Sequence, residues 1–146
     1  MIPPKDHVYE KERLASLESY SIMDTLPEED YDNLTTIAAA ICGVPISVVS
    51  LLDNKRQWFK SKYGIDASET PKELAFCAHA INDAEDIFII QDSRLDERFV
   101  HNPLLTGDPH VIFYAGVPLC SDEGLPLGTL CVIDDKPRLL SQNQIR

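Results

Sequence analysis

The sequence lacks the features that mark membrane, secreted and nucleic-acid-binding proteins. No apolar run approaches the roughly 18 residues that a membrane-spanning helix needs, and the N-terminal stretch MIPPKDHVYEKER has no apolar centre of a signal peptide. Positive charge is scarce, because 13 Lys and Arg stand against 24 Asp and Glu and give a formal net charge of −11. Such an acidic chain repels phosphate backbones. We therefore expect a cytoplasmic protein with no membrane segment in these residues and no nucleic-acid partner.

Signatures of metal sites and of several enzyme classes are missing as well. The four cysteines form no CxxC pair, and the four histidines show neither HxH nor HExxH spacing, so no metal site is predicted. The sequence contains no GxSxG, no GxxxxGK[ST] and no GxGxxG, the motifs of α/β-hydrolases, P-loop enzymes and dinucleotide-binding domains. No pair of carboxylates stands out as acid and base. We expect no cofactor, and the sequence indicates no catalytic residue.

The composition that remains suits one globular domain. The chain has 146 residues, of which 44% are apolar, and this is enough for a single core. Residues 10–22 are predicted to form a helix with Leu14 and Leu17 on a narrow apolar stripe. A lone helix with such a stripe often packs on a partner helix. This N-terminal helix is therefore a candidate for contact with another helix.

A second helix has a clearer periodicity. Leu34, Ile37, Ala38 and Ile41 fall at i, i+3, i+4 and i+7, which places them on one helical face. Gly43 follows as a natural helix end, since glycine readily adopts the left-handed conformation that occurs there. The pattern predicts an amphipathic helix that stops just before Gly43.

Five segments are predicted to be β-strands. The segment PISVVSLLD is apolar on both faces, as a central strand is, and a DNK turn joins it to the more polar RQWFKSKY, which we expect nearer a sheet edge. The last two strands flank the glycine-containing loop SDEGLP. Hairpins near both ends favour an antiparallel sheet with helices segregated to its faces, an α+β fold. The predicted strands are residues 45–53, 56–63, 87–90, 110–120 and 127–134.

Residues 70–81 are predicted to form a third helix. Thr70 and Glu73 fit a capping box, and Pro71 fits the first helical position. Apolar residues follow at i, i+3, i+4 and i+7, namely Leu74, Cys77, Ala78 and Ile81.

Cys77 lies two positions before His79 on this helix, which raises the question of a nucleophile with its base, or of a metal site. At about 100° per residue the two side chains point about 200° apart, so they do not easily form either. Cys77 shares its stripe with Ile81 and is interpreted as a packing residue. His79 has two interpretations, a hydrogen-bonded structural histidine and a group that lines a pocket.

A ligand pocket is predicted beside the long irregular segment 91–110, since a segment of that length inside a compact domain is usually functional. Thr129 and Cys131 alternate along one strand and so face the same side. An aromatic wall with a few polar groups is the ordinary form of a small-ligand pocket. The alternative is that the segment only covers a core that contains the aromatic side chains. The candidate pocket residues are His79, Asp92, Asn102, Phe113, Tyr114, Thr129 and Cys131.

The end of the chain has the pattern of another helix start. Ser141 and Gln144 fit a capping box, and the chain stops at Arg146, soon after it. We expect a linker helix to begin at 141–146 and the chain to be a fragment of a longer protein.

A series of motifs in order resembles the GAF domain family. The motifs are RLASLESYSIMDTLPEEDYDNLTTIAAAICGVPISVVSLLD, RQWFKSKYG, ETPKELAFCAHAI, DERFVHNPLLTGDPHVIFYAGVPL and LGTLCVIDDKPR. They are most similar to GAF domains near the N-terminus of bacterial sensor histidine kinases and diguanylate cyclases. The resemblance implies one GAF domain over residues 1–146 with a core at about 13–138, and a central antiparallel sheet of five to six strands with helices on both faces. It also implies a homodimer through the terminal helices, which run into a covalently linked output domain.

The function that this resemblance implies is that of a sensory or regulatory module in bacterial signal transduction. Such a module is not itself an enzyme, although its parent protein would be one, such as a histidine kinase or a diguanylate cyclase. Family members bind cyclic nucleotides, bilins, haem or small metabolites. Cys77 is followed by Ala78 and not by the histidine of phytochrome-type members, and DNKRQWFKSKYG lacks the Asp-Glu pair of the cyclic-nucleotide signature. The first departure argues against covalent attachment of a pigment, and the second argues against a cyclic nucleotide.

Two alternatives stay open beside the sensory interpretation. The domain could be a purely structural dimerisation module without a ligand. It could also resemble the GAF-type free methionine sulfoxide reductases, for which Cys77, Cys120 and Cys131 are the available thiols.

Overall fold

The chain folds around one antiparallel sheet, seen in a computed structural model that describes residues 4–20, 22–26, 28–65, 67–72, 75–83, 87–106, 110–121 and 124–138. In chain order the elements are α1 (Glu10–Ser19), α2 (Glu29–Cys42), β1 (Ile46–Leu52), β2 (Arg56–Tyr63), β3 (Glu69–Pro71), α3 (Phe76–Asp83), β4 (Phe88–Ile90), α4 (Pro103–Thr106), β5 (Phe113–Cys120) and β6 (Pro126–Asp134). The six strands lie in the order β3-β2-β1-β6-β5-β4, and every neighbouring pair is antiparallel. The predicted α+β fold with helices on both faces of the sheet is confirmed.

The central place of β1 follows from its composition. Every residue of β1 is buried, and β2 and β6 pair with its two edges. Val48 packs with the cluster that contains Phe76 on one face, while Val49 points to the other face, as strand alternation requires. The more polar β2 lies one strand in from the edge, next to β3. The predictions for both strands are confirmed.

The segment before α3 is a short edge strand, so the predicted helix start at Thr70 and Pro71 is wrong. Gln57 of β2 is paired with Thr70, and its side-chain amide donates a hydrogen bond to the Thr70 hydroxyl over 3.0 Å. Pro71 has no N–H to donate, which an edge strand tolerates. Pairing with β2 therefore outweighs the local capping signal, and the helix begins at Phe76. Glu73 and Leu74 lie outside the described residues.

The second helix, α2, ends as predicted at Gly43, whose φ of 64° is left-handed. The face that it buries differs from the periodic one. Its buried residues are Thr35, Ala39 and Cys42, and the Thr35 hydroxyl lies 3.0 Å from that of Ser61. Small side chains let the helix axis approach the sheet closely, and this favours them at the interface over larger ones.

Of the predicted apolar stripe, Ala38 packs partly against the core, and the three large side chains face solvent instead. Leu34, Ile37 and Ile41 are 49%, 55% and 57% exposed. We call these three residues the α2 stripe. Large apolar side chains arranged on one exposed helical face are a feature that monomers seldom carry without use.

A buried arginine connects the N-terminal helix α1 to the rest of the domain. The Arg13 guanidinium is fully buried, donates to the Leu52 carbonyl over 2.6 Å and pairs with Glu10 over 2.8 Å. Lys72, just after β3, also donates to Glu10 over 3.1 Å. These bonds connect α1 to the end of β1 and to the residues that follow β3.

The face of the sheet opposite α2 is covered by α3 and the segment that follows β4. That segment, predicted as irregular, contains a 3₁₀ turn at Ser93–Leu95 and the short helix α4. The linker helix predicted at 141–146 lies outside the described residues. Among the residues that the structure describes, no helix is long and apolar enough to cross a membrane.

Candidate functional site

A cavity of about 90 Å³ lies between the sheet and the elements on its α3 side. Strands β1, β2, β5 and β6 form its floor, and α3, α4 and the segments around them form its walls. The lining residues are mostly apolar: Val48, Gln57, Phe59, Ile65, Ala67, Thr70, Phe76, Leu104, Val111, Tyr114, Cys131 and Ile133. Most of these residues are buried, so the cavity belongs to the interior of the domain.

The mouth of the cavity lies between the loop after β2 and α4. Ile65 and Leu104 are half-buried and Ala67 is exposed, whereas the rest of the lining is buried. Asn102 holds this side in place, because its side-chain oxygen accepts a hydrogen bond from the Leu104 N–H over 2.8 Å. Asn102 therefore positions a residue at the mouth.

Tyr114 forms the aromatic wall, and the sequence leaves room for its ring. Gly116 lies two positions along β5 on the same face, where an added Cβ would be 2.8 Å from the Tyr114 hydroxyl. The Phe76 ring of α3 lies 5.4 Å from the Tyr114 ring and is stacked on Phe99 at 4.1 Å. These aromatic contacts hold α3 and the segment after β4 against the sheet.

A chain of buried hydroxyls lies behind this wall. The Tyr114 hydroxyl is 3.2 Å from that of Thr129, which is 3.0 Å from that of Ser50. Each of these side chains is at most 1% exposed. Among the described residues no buried side-chain oxygen or nitrogen is left without a hydrogen-bond partner. The polar groups around the cavity are therefore already engaged with one another.

The thiols near the cavity are in an environment that keeps them protonated. Burial raises the pKa of Cys77 to about 12, against the smaller lowering effect of a hydrogen bond with Ser50. Burial likewise raises the pKa of Cys131 to about 12, although Tyr114 and Thr129 hydrogen-bond to it. The thiolate is the reactive form of cysteine. At neutral pH neither side chain is therefore activated as a nucleophile.

Metal chemistry has no support in the described part of the chain. Within it, no group of three or more histidine, cysteine, aspartate or glutamate side chains could hold a metal ion.

Three of the residues proposed from the sequence lie at or directly behind the cavity wall. Tyr114 and Cys131 line it, and Thr129 holds the Tyr114 hydroxyl from behind. Thr129 and Cys131 do face the same side of β6, as strand alternation predicts. Asn102 acts one step away, through Leu104.

The other three proposed residues lie elsewhere. Phe113 is on the opposite face of the sheet, in the cluster under α2, because consecutive residues of β5 alternate between faces. Asp92 pairs with Arg94 over 2.8 Å and accepts a hydrogen bond from the N–H of the same residue. The His79 ring packs edge-on against Phe99 at 4.9 Å and borders a surface cleft. The structure thus does not bring these three residues to the cavity.

The lining residues that the sequence did not indicate come from several elements: Val48, Gln57, Phe59, Ile65, Ala67, Thr70, Phe76, Leu104, Val111 and Ile133. Val48 pairs directly with Cys131 and shares its face, so alternation alone could have indicated it. Gln57, Thr70 and Ala67 enter the lining only because β3 folds back on β2. No periodic signal in the sequence marks that pairing.

Known proteins support the assignment of a family. The profile of the GAF domain family matches residues 26–146. A cyclic di-GMP phosphodiesterase of Pseudomonas aeruginosa is 40% identical over 129 residues, which are 88% of this chain. The chain spans only 22% of the length of that protein.

Solved structures agree in fold. The GAF domain of an Acinetobacter phosphoenolpyruvate-protein phosphotransferase has a TM-score of 0.59 and 20% identity, with 91% of this chain and 83% of that chain covered. The free methionine-R-sulfoxide reductase of Neisseria meningitidis has a TM-score of 0.63 and 16% identity, with 93% and 79% covered. At these identities the likeness shows the fold alone. Because the GAF profile matches well over half of its residues, the chain belongs to the GAF domain family.

Proposed function

We propose that the chain is a non-catalytic sensory domain of a cytoplasmic bacterial signalling protein, and that it binds a small molecule in the cavity on the α3 side of the sheet. The cavity with its mouth at Ile65, Ala67 and Leu104 is the observation that carries this proposal. A concave, mostly apolar site with a few convergent polar groups is the usual form of a small-ligand site. The protonated thiols of Cys77 and Cys131 support a binding site over a catalytic one.

The parent protein is proposed to couple this domain to an enzyme of second-messenger signalling. The relative that is 40% identical acts, by its name, on cyclic di-GMP, and the matched part is 22% of it. This relationship favours an output domain of cyclic di-GMP turnover over a histidine kinase.

Hydrogen bonds suggest how occupancy of the cavity would reach α1. Thr70 lines the cavity, and Lys72, two residues later, donates to Asp6 over 2.7 Å and to Glu10 over 3.1 Å. If a ligand binds more tightly when β3 lies in one position than in another, it increases the population of the favoured position of β3. In this proposal the position of α1 changes with it.

A thermal-shift screen tests the binding function. Metabolites, nucleotides, tetrapyrroles and small apolar compounds are added to the chain, and a compound that binds the folded state raises Tm by mass action. Val111→Phe, which fills the cavity from its wall, should abolish the shift, while Ala15→Leu on the exposed face of α1 should leave it intact. If no compound shifts Tm, the sensory proposal fails and the dimerisation module is favoured.

A homodimer is the second function that a specific observation favours. The α2 stripe is large, apolar and exposed in the single chain, and in a two-fold dimer one such patch serves both partners. We propose a second copy of this chain as its occupant, so the contact involves α2 in addition to the terminal helices expected from the sequence. Sedimentation velocity should show a dimer that Ile37→Glu dissociates. Thr36→Glu, which adds the same charge on the flank of the helix, should not dissociate it.

The thiol-reductase alternative has less support. Cys77 and Cys131 are buried and protonated, and Cys120 is exposed at the end of β5, outside the cavity lining. We expect no reduction of free methionine sulfoxide by this chain. Activity that disappears in Cys131→Ser would reverse this conclusion.

A further inference from the structure

The size of the cavity sets an upper limit on what it holds without rearrangement. Its volume is about 90 Å³. Pockets for drug-sized ligands have volumes of about 300–1,000 Å³. An apolar cavity of about 150 Å³ holds benzene or xenon. The cavity here is smaller than that one, so a single six-membered ring already fills it or slightly exceeds it, and a nucleotide or a tetrapyrrole is far above the limit.

The polar groups of the lining offer little to a polar ligand. The Gln57 amide is bonded to the Thr70 hydroxyl over 3.0 Å, and the Tyr114 hydroxyl is 3.2 Å from that of Thr129. A ligand hydroxyl or amide that finds no partner among these few polar atoms is left buried and unpaired. Such a group costs about 1–3 kcal/mol.

Charge is unfavourable in the same way. None of the described lining residues carries a charge. The nearest cation along the chain from Thr70 is Lys72, whose ammonium is already bonded to Asp6 and Glu10. Among the described lining residues an ionised ligand would find no charged partner, and a buried charge without a partner is strongly unfavourable.

The walls are suited to an apolar ring. Phe59, Phe76 and Tyr114 provide aromatic surface, and the Cys131 thiol is a polarisable contact for a ring. The described residues at the mouth, Ile65, Ala67 and Leu104, have apolar side chains. Both the lining and the access route therefore match the same kind of molecule.

We propose that the ligand is an uncharged apolar molecule no larger than a single six-membered ring, bound between the Tyr114 wall and β1. This inference rests on the proposed sensory function and specifies the ligand class of the same site. It gives the domain a specificity for small hydrophobic compounds and against charged metabolites and nucleotides.

The test compares three probes on the full 146-residue chain. Benzene is the apolar probe, benzoate is the same ring with a charge, and cyclic GMP is a large charged nucleotide. Binding is followed by NMR chemical-shift titration. We expect saturable shifts with benzene and none with the other two at the same concentrations.

Two variants locate the binding. Ala67→Leu takes up space in the cavity lining at an exposed position and should weaken benzene binding by about tenfold or more, or about 1.4 kcal/mol. Val111→Phe fills the interior and should abolish binding. Ala15→Leu makes the same change as the mouth variant on the exposed face of α1 and should leave the affinity unchanged.

The outcomes separate the ligand class from the function. Benzoate or cyclic GMP binding that Val111→Phe or Ala67→Leu removes would overturn the apolar class and leave the sensory function standing. Benzene binding that neither variant changes would overturn the location and with it this inference. Failure of all three probes and of the wider compound screen would overturn both proposals.

Discussion

The two faces of the sheet are covered by helices in opposite ways. On one face α2 turns small residues, Ala39 and Cys42, inward and leaves its large apolar side chains in solvent. On the other face α3 and its neighbours turn large aromatic side chains inward, and a cavity of about 90 Å³ lies among them. Small side chains permit close approach of a helix to a sheet, whereas the aromatic rings on the other face leave the cavity among them. The comparison suggests one face for association and the other for ligand binding.

Truncation of a buried aromatic ring should lower the unfolding free energy more on the closely packed α2 face than on the cavity face. Phe113 is fully buried under α2, and Phe113→Ala is expected to cost about 3–5 kcal/mol of unfolding free energy. Phe59 already faces the cavity, so its ring makes fewer contacts, and Phe59→Ala should cost about 2 kcal/mol. Urea denaturation measures both. Equal losses would show that the cavity face is packed as closely as the α2 face.

Loss of the central hydroxyl should destabilise the cavity face by an intermediate amount. Thr129→Val leaves the hydroxyls of Tyr114 and Ser50 without this partner and is expected to cost about 1–3 kcal/mol. Thr36→Val, at an exposed position of α2, is the control and should stay within about 0.5 kcal/mol of the parent. Thermal or urea unfolding compares the two. If Thr129→Val left the unfolding free energy unchanged, the chain of buried hydroxyls would not be what organises the Tyr114 wall.

The contact of α1 with the residues after β3 should depend on pH. Burial alone would raise the pKa of Glu10, but hydrogen bonds from Arg13 and Lys72 outweigh it and lower the pKa to about 2. A carboxyl with a lowered folded-state pKa stabilises the fold above its ordinary pKa, and this stabilisation is lost as the pH falls toward the folded-state value. Glu10→Gln should therefore cost about 1 kcal/mol at pH 7 and less as the pH decreases from about 5 to about 2.

The measurement is urea denaturation of the parent and Glu10→Gln at several pH values. Glu12→Gln, an exposed acid on the same helix, is the matched control. A difference between parent and Glu10→Gln that stays constant down to pH 2 would contradict the ionic link.

The smallest effect on stability is expected on the α2 stripe. Ile37→Gln and Ile41→Gln should each change the unfolding free energy of the monomer by less than about 0.5 kcal/mol, because both side chains are more than half exposed. Denaturation at low protein concentration isolates the monomer. A loss of about 2 kcal/mol or more would show that the stripe is packed within the monomer and that the contrast between the two faces is wrong.

Much of the sheet could be predicted because alternation and length mark its strands directly. The predicted residues 56–63 coincide with β2, and the all-apolar segment 45–53 contains the central strand β1. Gly43 ends α2 as expected from its conformational freedom. These features depend on residues that are close together in the chain, so they can be predicted from the sequence.

The features that the sequence misjudged depend on which partner each segment meets. Thr70 and Pro71 carry a local helix-start signal, but pairing with β2 makes them an edge strand. The α2 stripe has helical periodicity, yet the helix packs on the sheet through a neighbouring face with smaller side chains. Phe113 and Tyr114 are adjacent, and only the register of β5 decides which one faces the cavity.

The most direct test of the ligand site compares methyl groups on the two faces during one NMR titration with benzene. The methyl resonances of Val48, Ile65 and Ile133, which line the cavity, should shift and saturate together. The methyl resonances of Leu34, Ile37 and Ile41, which form the α2 stripe, should not move. Shifts confined to the α2 stripe, or an unchanged set of cavity resonances at saturating benzene, would contradict a ligand site on the α3 side.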